Sequence, residues 1–258
     1  MSEIQPQKRR SPLDDVLFSP DESRLRAGWR LVLQSLVLLS TVGCVSIPLF
    51  IILFFFDPAL LSSYPNIRPE YMLFAVVGET IAVTLSVFLA RRYLDKRSFE
   101  SLGLKLDPRT LPDILAGIGI TFLQIGFIFL VMLALGWLTF EGFAWEFDPI
   151  NVVFTNTLIF LIVFIFAGWN EELLSRGYHL QTIASGLNLF WGVVISSVVF
   201  GLFHLGNPNA TWVSAAGIFF AGIYLAYGYI RTRQLWLPIG LHIGWNFFEG
   251  VGFGFPVS

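Results

Sequence analysis

Residues 151–176 read NVVFTNTLIFLIVFIFAGW followed by Asn170-Glu171-Glu172-Leu173-Leu174-Ser175-Arg176. Nineteen uncharged residues, close to the ~20 needed to cross a bilayer core, run straight into two adjacent acids and a cation. Ionisable groups set against residues such as Phe164 and Ile165 are costly in hydrocarbon. They persist where they pair with one another or line a wet cavity, which marks a functional site. On a helix, Glu172 and Arg176 are four apart and share a face, with the acid N-terminal to the cation. Glu171 is turned about 100° away and can face a different wall. The spacing therefore gives the two acids different jobs: Glu172 neutralised by Arg176, Glu171 left free as a carboxylate suited to general-base work. The competing reading is a charge cluster at a helix end.

Six further apolar runs surround this one, at 31–56 (interrupted by Pro48), 71–90, 111–138, 189–205, 212–230 and 235–251. The predicted fold class is all-α: a polytopic membrane helical bundle of about seven to eight transmembrane helices. Hydrophobic residues make up 55% of the chain and charged residues 13%. Soluble domains carry about 25% charge, and a mean hydropathy of +0.70 points the same way. The 27 phenylalanines and 8 tryptophans suit lipid contact and interfacial anchoring. A net charge of −2, held in loops, offers no basic face, so no nucleic-acid partner is expected. Cys44, the single cysteine, excludes an intramolecular disulfide framework and reads as packing or lipid contact.

Residues 1–30 are polar and carry Pro6, Pro12 and Pro20, which predicts a loosely ordered cytosolic tail with no signal peptide. Within them, Ser19-Pro20-Asp21-Glu22 has the form of a helix start. Residues 31–256 form one transmembrane domain, its motif core at about 150–250. Orientation follows from the cations. Lys8, Arg9, Arg10, Arg24, Arg26 and Arg30 precede the first span; Arg91, Arg92, Lys96, Arg97, Lys105 and Arg109 follow the second; Arg231 and Arg233 follow the sixth. With seven spans these loops share one side, which the positive-inside rule makes cytosolic. An integral protein of the plasma (inner) membrane is expected, with its N-terminus cytosolic and its C-terminus outside.

Two more motifs carry chemistry. In Phe200-Gly201-Leu202-Phe203-His204, Phe200 can wall the histidine from lipid. In His242-Ile243-Gly244-Trp245-Asn246, an imidazole and an amide project from one helical face, two donors of the kind an oxyanion needs. Alone, each also fits interhelical hydrogen bonding. Two of the three histidines of the chain lie in these motifs. The third, His179, is expected at the interface in a structural role. Glu79, mid-span in the second run, reads as a structural acid, with cavity lining or ion coupling as alternatives. Glu249 shares the face of His242 and Asn246 and could join the site.

The order EExxxR, FxxxH, HxxxN on successive parts of a helical membrane protein resembles the CAAX protease and bacteriocin-processing family, also called Abi. Its best-understood members are the type II CAAX prenyl endopeptidases. Upstream, 91–104, ending Leu102-Gly103-Leu104, resembles the basic loop that often precedes the family core. The resemblance implies an intramembrane endopeptidase opening toward the cytosol, acting on a protein or peptide at the bilayer. Glu171 and His204 would activate a water, His242 and Asn246 would stabilise the oxyanion, and Glu172 and Arg176 would support them. No cofactor is expected. The alternative is a zinc enzyme with Glu171, His204 and His242 as ligands. A non-catalytic immunity or scaffold protein of the same fold is the competing function, with a small transporter behind it. Oligomeric state is open.

One geometric demand follows. Glu171 ends the fourth apolar run near its cytosolic side, whereas His204 ends the fifth at the far side. They meet only if the fourth helix continues well past Glu171, or if Gly206-Asn207-Pro208-Asn209 dips into the protein.

Overall fold

A computed structural model describes residues 11–20, 22–58 and 68–255, and among these it is all-α, with one isolated bridge between Phe18 and Leu25. The helices are α1 (Pro12–Leu17), α2 (Ala27–Phe56), α3 (Pro69–Leu89), α4 (Thr110–Ala134), α5 (Ala144–Phe147), α6 (Ile150–Glu172), α7 (Gln181–Gly186), α8 (Leu189–Phe203), α9 (Trp212–Thr232) and α10 (Trp236–Phe247). Six helical stretches are long and apolar enough to cross a bilayer: Ala27–Phe56, Pro69–Leu94, Thr110–Ala134, Ile150–Gly186, Leu189–Gly206 and Trp212–Thr232. Large apolar side chains on their outward faces, among them Leu123, Phe127, Leu130 and Phe220, are exposed, as lipid-facing positions must be. The chain is an integral membrane bundle.

The expected seventh span is different in kind. α10 has 12 residues and continues through a π-helical Phe248–Gly252 of 5, too short to count with the six. Pro238 to Gly244 are all buried, so this helix is the core of the bundle, packed by α4, α6 and α9. Small residues make the packing possible. A β-carbon on Gly117 would collide with the backbone of Leu241, one on Gly240 with that of Ile114, and one on Gly244 with Thr121 Oγ1. Close backbone approach through glycine is how helices gain van der Waals contact where the solvent is lipid.

The N-terminal segment also departs from expectation. Residues 11–30 are not a loose tail, and residues 1–10, with Lys8, Arg9 and Arg10, lie outside the described residues. Ser11 caps α1, its hydroxyl accepting from the Asp14 amide at 3.2 Å, so the helix start precedes the Ser19-Pro20 signal. Ser19 instead turns the chain, donating its amide to Arg24 O at 2.9 Å, and Asp21 lies outside the described residues. The turn delivers Arg24 and Arg30 to a buried cluster around Asp95, with Arg91 at 2.9 Å and Arg24 at 3.9 Å from its carboxylate and Arg30 closer still. Gly103, at φ 99°, makes the Leu102-Gly103-Leu104 turn possible, because a left-handed backbone is open to glycine. Its carbonyl accepts from Leu235 N at 2.8 Å, and Trp236 Nε1 donates to Lys105 O at 2.9 Å. The three basic connections thus meet at one end of the bundle.

Candidate active site

The acidic motif sits where α6 passes into a π-helical stretch, Leu173–Leu180, before α7. Helix therefore runs without a break from Ile150 to Gly186, which carries Glu171 away from the helix end into the bundle. This is the first of the two solutions that the spacing of Glu171 and His204 demanded. Wide π turns recur at functional sites because they re-aim side chains within a continuous helix. Here Leu173, Ser175, Arg176, Gly177, Tyr178, His179 and Leu180 are all buried. His179 is thus buried within the bundle: its Nε2 lies 3.4 Å from Gln34 Oε1.

The two acids have opposite surroundings. Glu172 is 0% exposed and its Oε1 accepts twice, from Arg176 Nη1 and from His242 Nδ1, each at 2.8 Å. Arg176 is 1% exposed and is held on its other side by Gly222 O at 3.1 Å. The Phe200 ring lies 4.2 Å beneath its guanidinium carbon. Glu171 is 32% exposed, and its Oε2 makes no direct hydrogen bond. That oxygen lies 3.5 Å from His204 Nε2 and 3.7 Å from His242 Nε2.

Partners fix which ring nitrogens are free. His204 Nδ1 is 2.8 Å from Phe200 O, an acceptor, so Nδ1 carries the proton and a neutral ring presents an unprotonated Nε2 to Glu171. His242 Nδ1 likewise donates to Glu172. Its Nε2 can therefore donate only when the ring is an imidazolium. Phe200 packs against both rings, with centroids 4.7 Å from His204 and 6.1 Å from His242.

A cavity of about 510 Å³ adjoins the two histidines, within the usual size of a ligand site. α4 contributes Thr121 and Gln124, α8 Phe200, α9 Ser214 and Tyr224, and α10 His242, Trp245 and Asn246. His204 and Glu249 complete its polar lining. Glu171 does not line it and borders it through the two imidazoles. Gln124 and Tyr224 hydrogen-bond at 3.1 Å, bridging α4 and α9 across α10. Glu79 is exposed on α3 and is not among the lining residues. Among the described residues, no group of three or more His, Cys, Asp or Glu side chains is arranged to hold a metal ion.

The structure thus brings Glu171, Glu172, Arg176, His204 and His242 into one contiguous group and places Asn246 on the shared cavity. Sequence reasoning missed the second partner of Glu172, because a contact between α6 and α10 has no sequence spacing. It also missed Gln124 and Tyr224, although a glutamine in mid-span is itself a signal.

No solved structure matches this chain. A curated Bacillus subtilis (strain 168) protein, "Putative membrane peptidase YdiL", is 28% identical over 99 residues, covering 38% of this chain and 38% of its own length. The family model "Type II CAAX prenyl endopeptidase Rce1-like" matches residues 153–248, a segment that contains all three motifs. That segment, under half of the chain, is thus similar to the family that the order of its motifs resembles.

Proposed function

We propose that this protein is an intramembrane endopeptidase of the CAAX- or bacteriocin-processing type that hydrolyses a peptide bond with water activated by Glu171 and His204. The observation that carries the reading is the pair of acceptors, Glu171 Oε2 and His204 Nε2, facing each other across 3.5 Å. Two acceptors cannot bond to each other, but one water can donate a proton to each. As its oxygen adds to the scissile carbonyl carbon, a proton passes to this pair, and the carbonyl oxygen becomes an oxyanion. His242 Nε2–H and the Asn246 amide face the same cavity and are the proposed donors to it. In this role His242 is an imidazolium, its charge balanced by Glu172. Collapse of the intermediate breaks the C–N bond, and the stored proton leaves with the amine.

Glu172 and Arg176 act by position. The carboxylate orients the His242 ring, and Arg176 holds the carboxylate. The mechanism proposed uses no metal. The basic end of the bundle is proposed to face the cytosol, in the plasma (inner) membrane. The test is full-length protein in detergent micelles with a panel of quenched fluorescent peptides, wild type beside Glu171→Ala. Cleavage that disappears in the variant supports the reading. Peptide binding without turnover in either protein would favour a scaffold of the same fold.

A further inference from the structure

Glu249 lies one residue beyond the family match and outside the three motifs, yet it lines the same cavity as His204, His242 and Asn246. It follows His242 by seven positions, about 10 Å along the helix axis. Trp245 lies one turn back on the same wall. No lysine or arginine is among the described residues that line the cavity. Arg176, across Phe200, is already bound to Glu172 and Gly222. Glu249 is therefore the one acid among the residues lining a largely apolar space, with no lysine or arginine opposite it, and the imidazolium proposed for His242 is already balanced by Glu172.

An extended peptide advances about 3.3 Å per residue, so the ~4.5 to ~10 Å along the helix from Glu249 to the two proposed donors, Asn246 and His242, corresponds to roughly one to three residues. We propose that Glu249 is a specificity residue that receives a basic side chain, lysine or arginine, within three residues of the scissile bond. This rests on the peptidase reading above and adds the substrate class. A peptide with that amine in place forms a charge-assisted hydrogen bond in a water-poor site. A peptide that puts a carboxylate there meets like charge.

The experiment uses the full chain in micelles and quenched peptides that differ at one residue only, scanned over the three positions on either side of the bond. That residue is lysine, norleucine or glutamate. Wild type is expected to prefer lysine to norleucine by about tenfold in kcat/KM, the size of a charge-assisted hydrogen bond in a shielded site. Glu249→Gln should level the two, Glu249→Asp should keep the preference, and Glu249→Lys should turn it toward glutamate. A Glu249→Gln enzyme that loses activity equally on all peptides, with the lysine preference intact, would show a purely structural residue and overturn the inference alone. Failure of wild type to cut any peptide in a Glu171-dependent way would overturn the peptidase reading and this inference together.

Discussion

Neighbouring acids with opposite surroundings should give opposite phenotypes when each is changed to its amide. Glu172→Gln removes a charge that two cations or potential cations use. Arg176 is 1% exposed, and besides Glu172 it meets a backbone carbonyl and an aromatic face. Breaking a buried pair by neutralising one partner costs about 3–5 kcal/mol, chiefly because the remaining charge stays buried without its counterion. The substituted amide oxygen, placed as Oε1 is, can still accept both 2.8 Å hydrogen bonds but cannot restore the charge. Glu171→Gln removes a carboxylate that is 32% exposed and whose Oε2 makes no direct hydrogen bond. Its effect on stability should stay within about 0.5 kcal/mol, as for sites without such partners.

Both proteins are compared in the same detergent by reversible chemical unfolding followed through tryptophan fluorescence, and then in the peptide assay. Glu172→Gln should lose stability on the scale above, and Glu172→Gln combined with Arg176→Met should recover part of that loss, because the stranded guanidinium is gone. Glu171→Gln should unfold like wild type and turn over at least about a hundredfold more slowly, as expected when a general base is removed. Equal stability for Glu172→Gln and wild type would refute the reasoning, since it would mean that Arg176 does not depend on Glu172. So would an active Glu171→Gln.

Asn246→Ala and His242→Ala should each lower kcat by about 10²–10³ with little change in KM, because an oxyanion donor acts on the transition state; parallel rises in KM would assign them to substrate binding instead. Gly240→Val should destabilise the fold by at least about 1–3 kcal/mol, since a side chain there meets the Ile114 backbone; wild-type melting would contradict the packing of α4 on α10. A cysteine at Ser98 should escape a membrane-impermeant thiol reagent in intact cells while one at Glu141 reacts, and the reverse pattern would invert the proposed orientation. Activity should survive exhaustive chelation with well under one zinc per chain, whereas stoichiometric zinc whose removal reversibly stops turnover would replace the water-activation scheme by a metal one.

Much of the fold was legible because a bilayer imposes one length scale on every span. Runs of about 20 apolar residues announced six helices, five of them within a few residues of their ends, while the fourth runs on through the acidic motif to Gly186. The same rule misjudged the seventh run. α10 is apolar because it is surrounded by other helices, and hydropathy cannot tell protein from lipid as the surrounding medium. Its glycines were the available clue: Gly240 and Gly244 lie four apart on one face and meet α4 at Ile114 and Thr121. At the N-terminus the polar composition suggested a free tail. Arg24 and Arg30 are buried nonetheless, because Asp95 offers them a partner that lies 65 residues further on in the case of Arg30.

The site was legible to the extent that one helix could reveal it. The i, i+4 spacing assigned Glu172 to Arg176 and released Glu171, and both statements concern a single turn. What no turn contains is the hydrogen bond from His242 Nδ1 to Glu172, formed between residues 70 apart. That bond changes the chemistry more than any spacing does. With Nδ1 committed to a carboxylate, a neutral His242 has nothing left to donate at Nε2, so an oxyanion role requires the charged ring. In the proposed mechanism Glu172 thereby has two tasks that share one atom: its Oε1 binds Arg176 in the core and would hold His242 in the form that can donate. Glu171, one residue earlier, would be left for water, since its Oε2 makes no direct hydrogen bond. On that proposal the paired acids of the motif are a division of labour across two helices, in which the buried carboxylate sets the state of the ring and the freer one faces the reacting atoms.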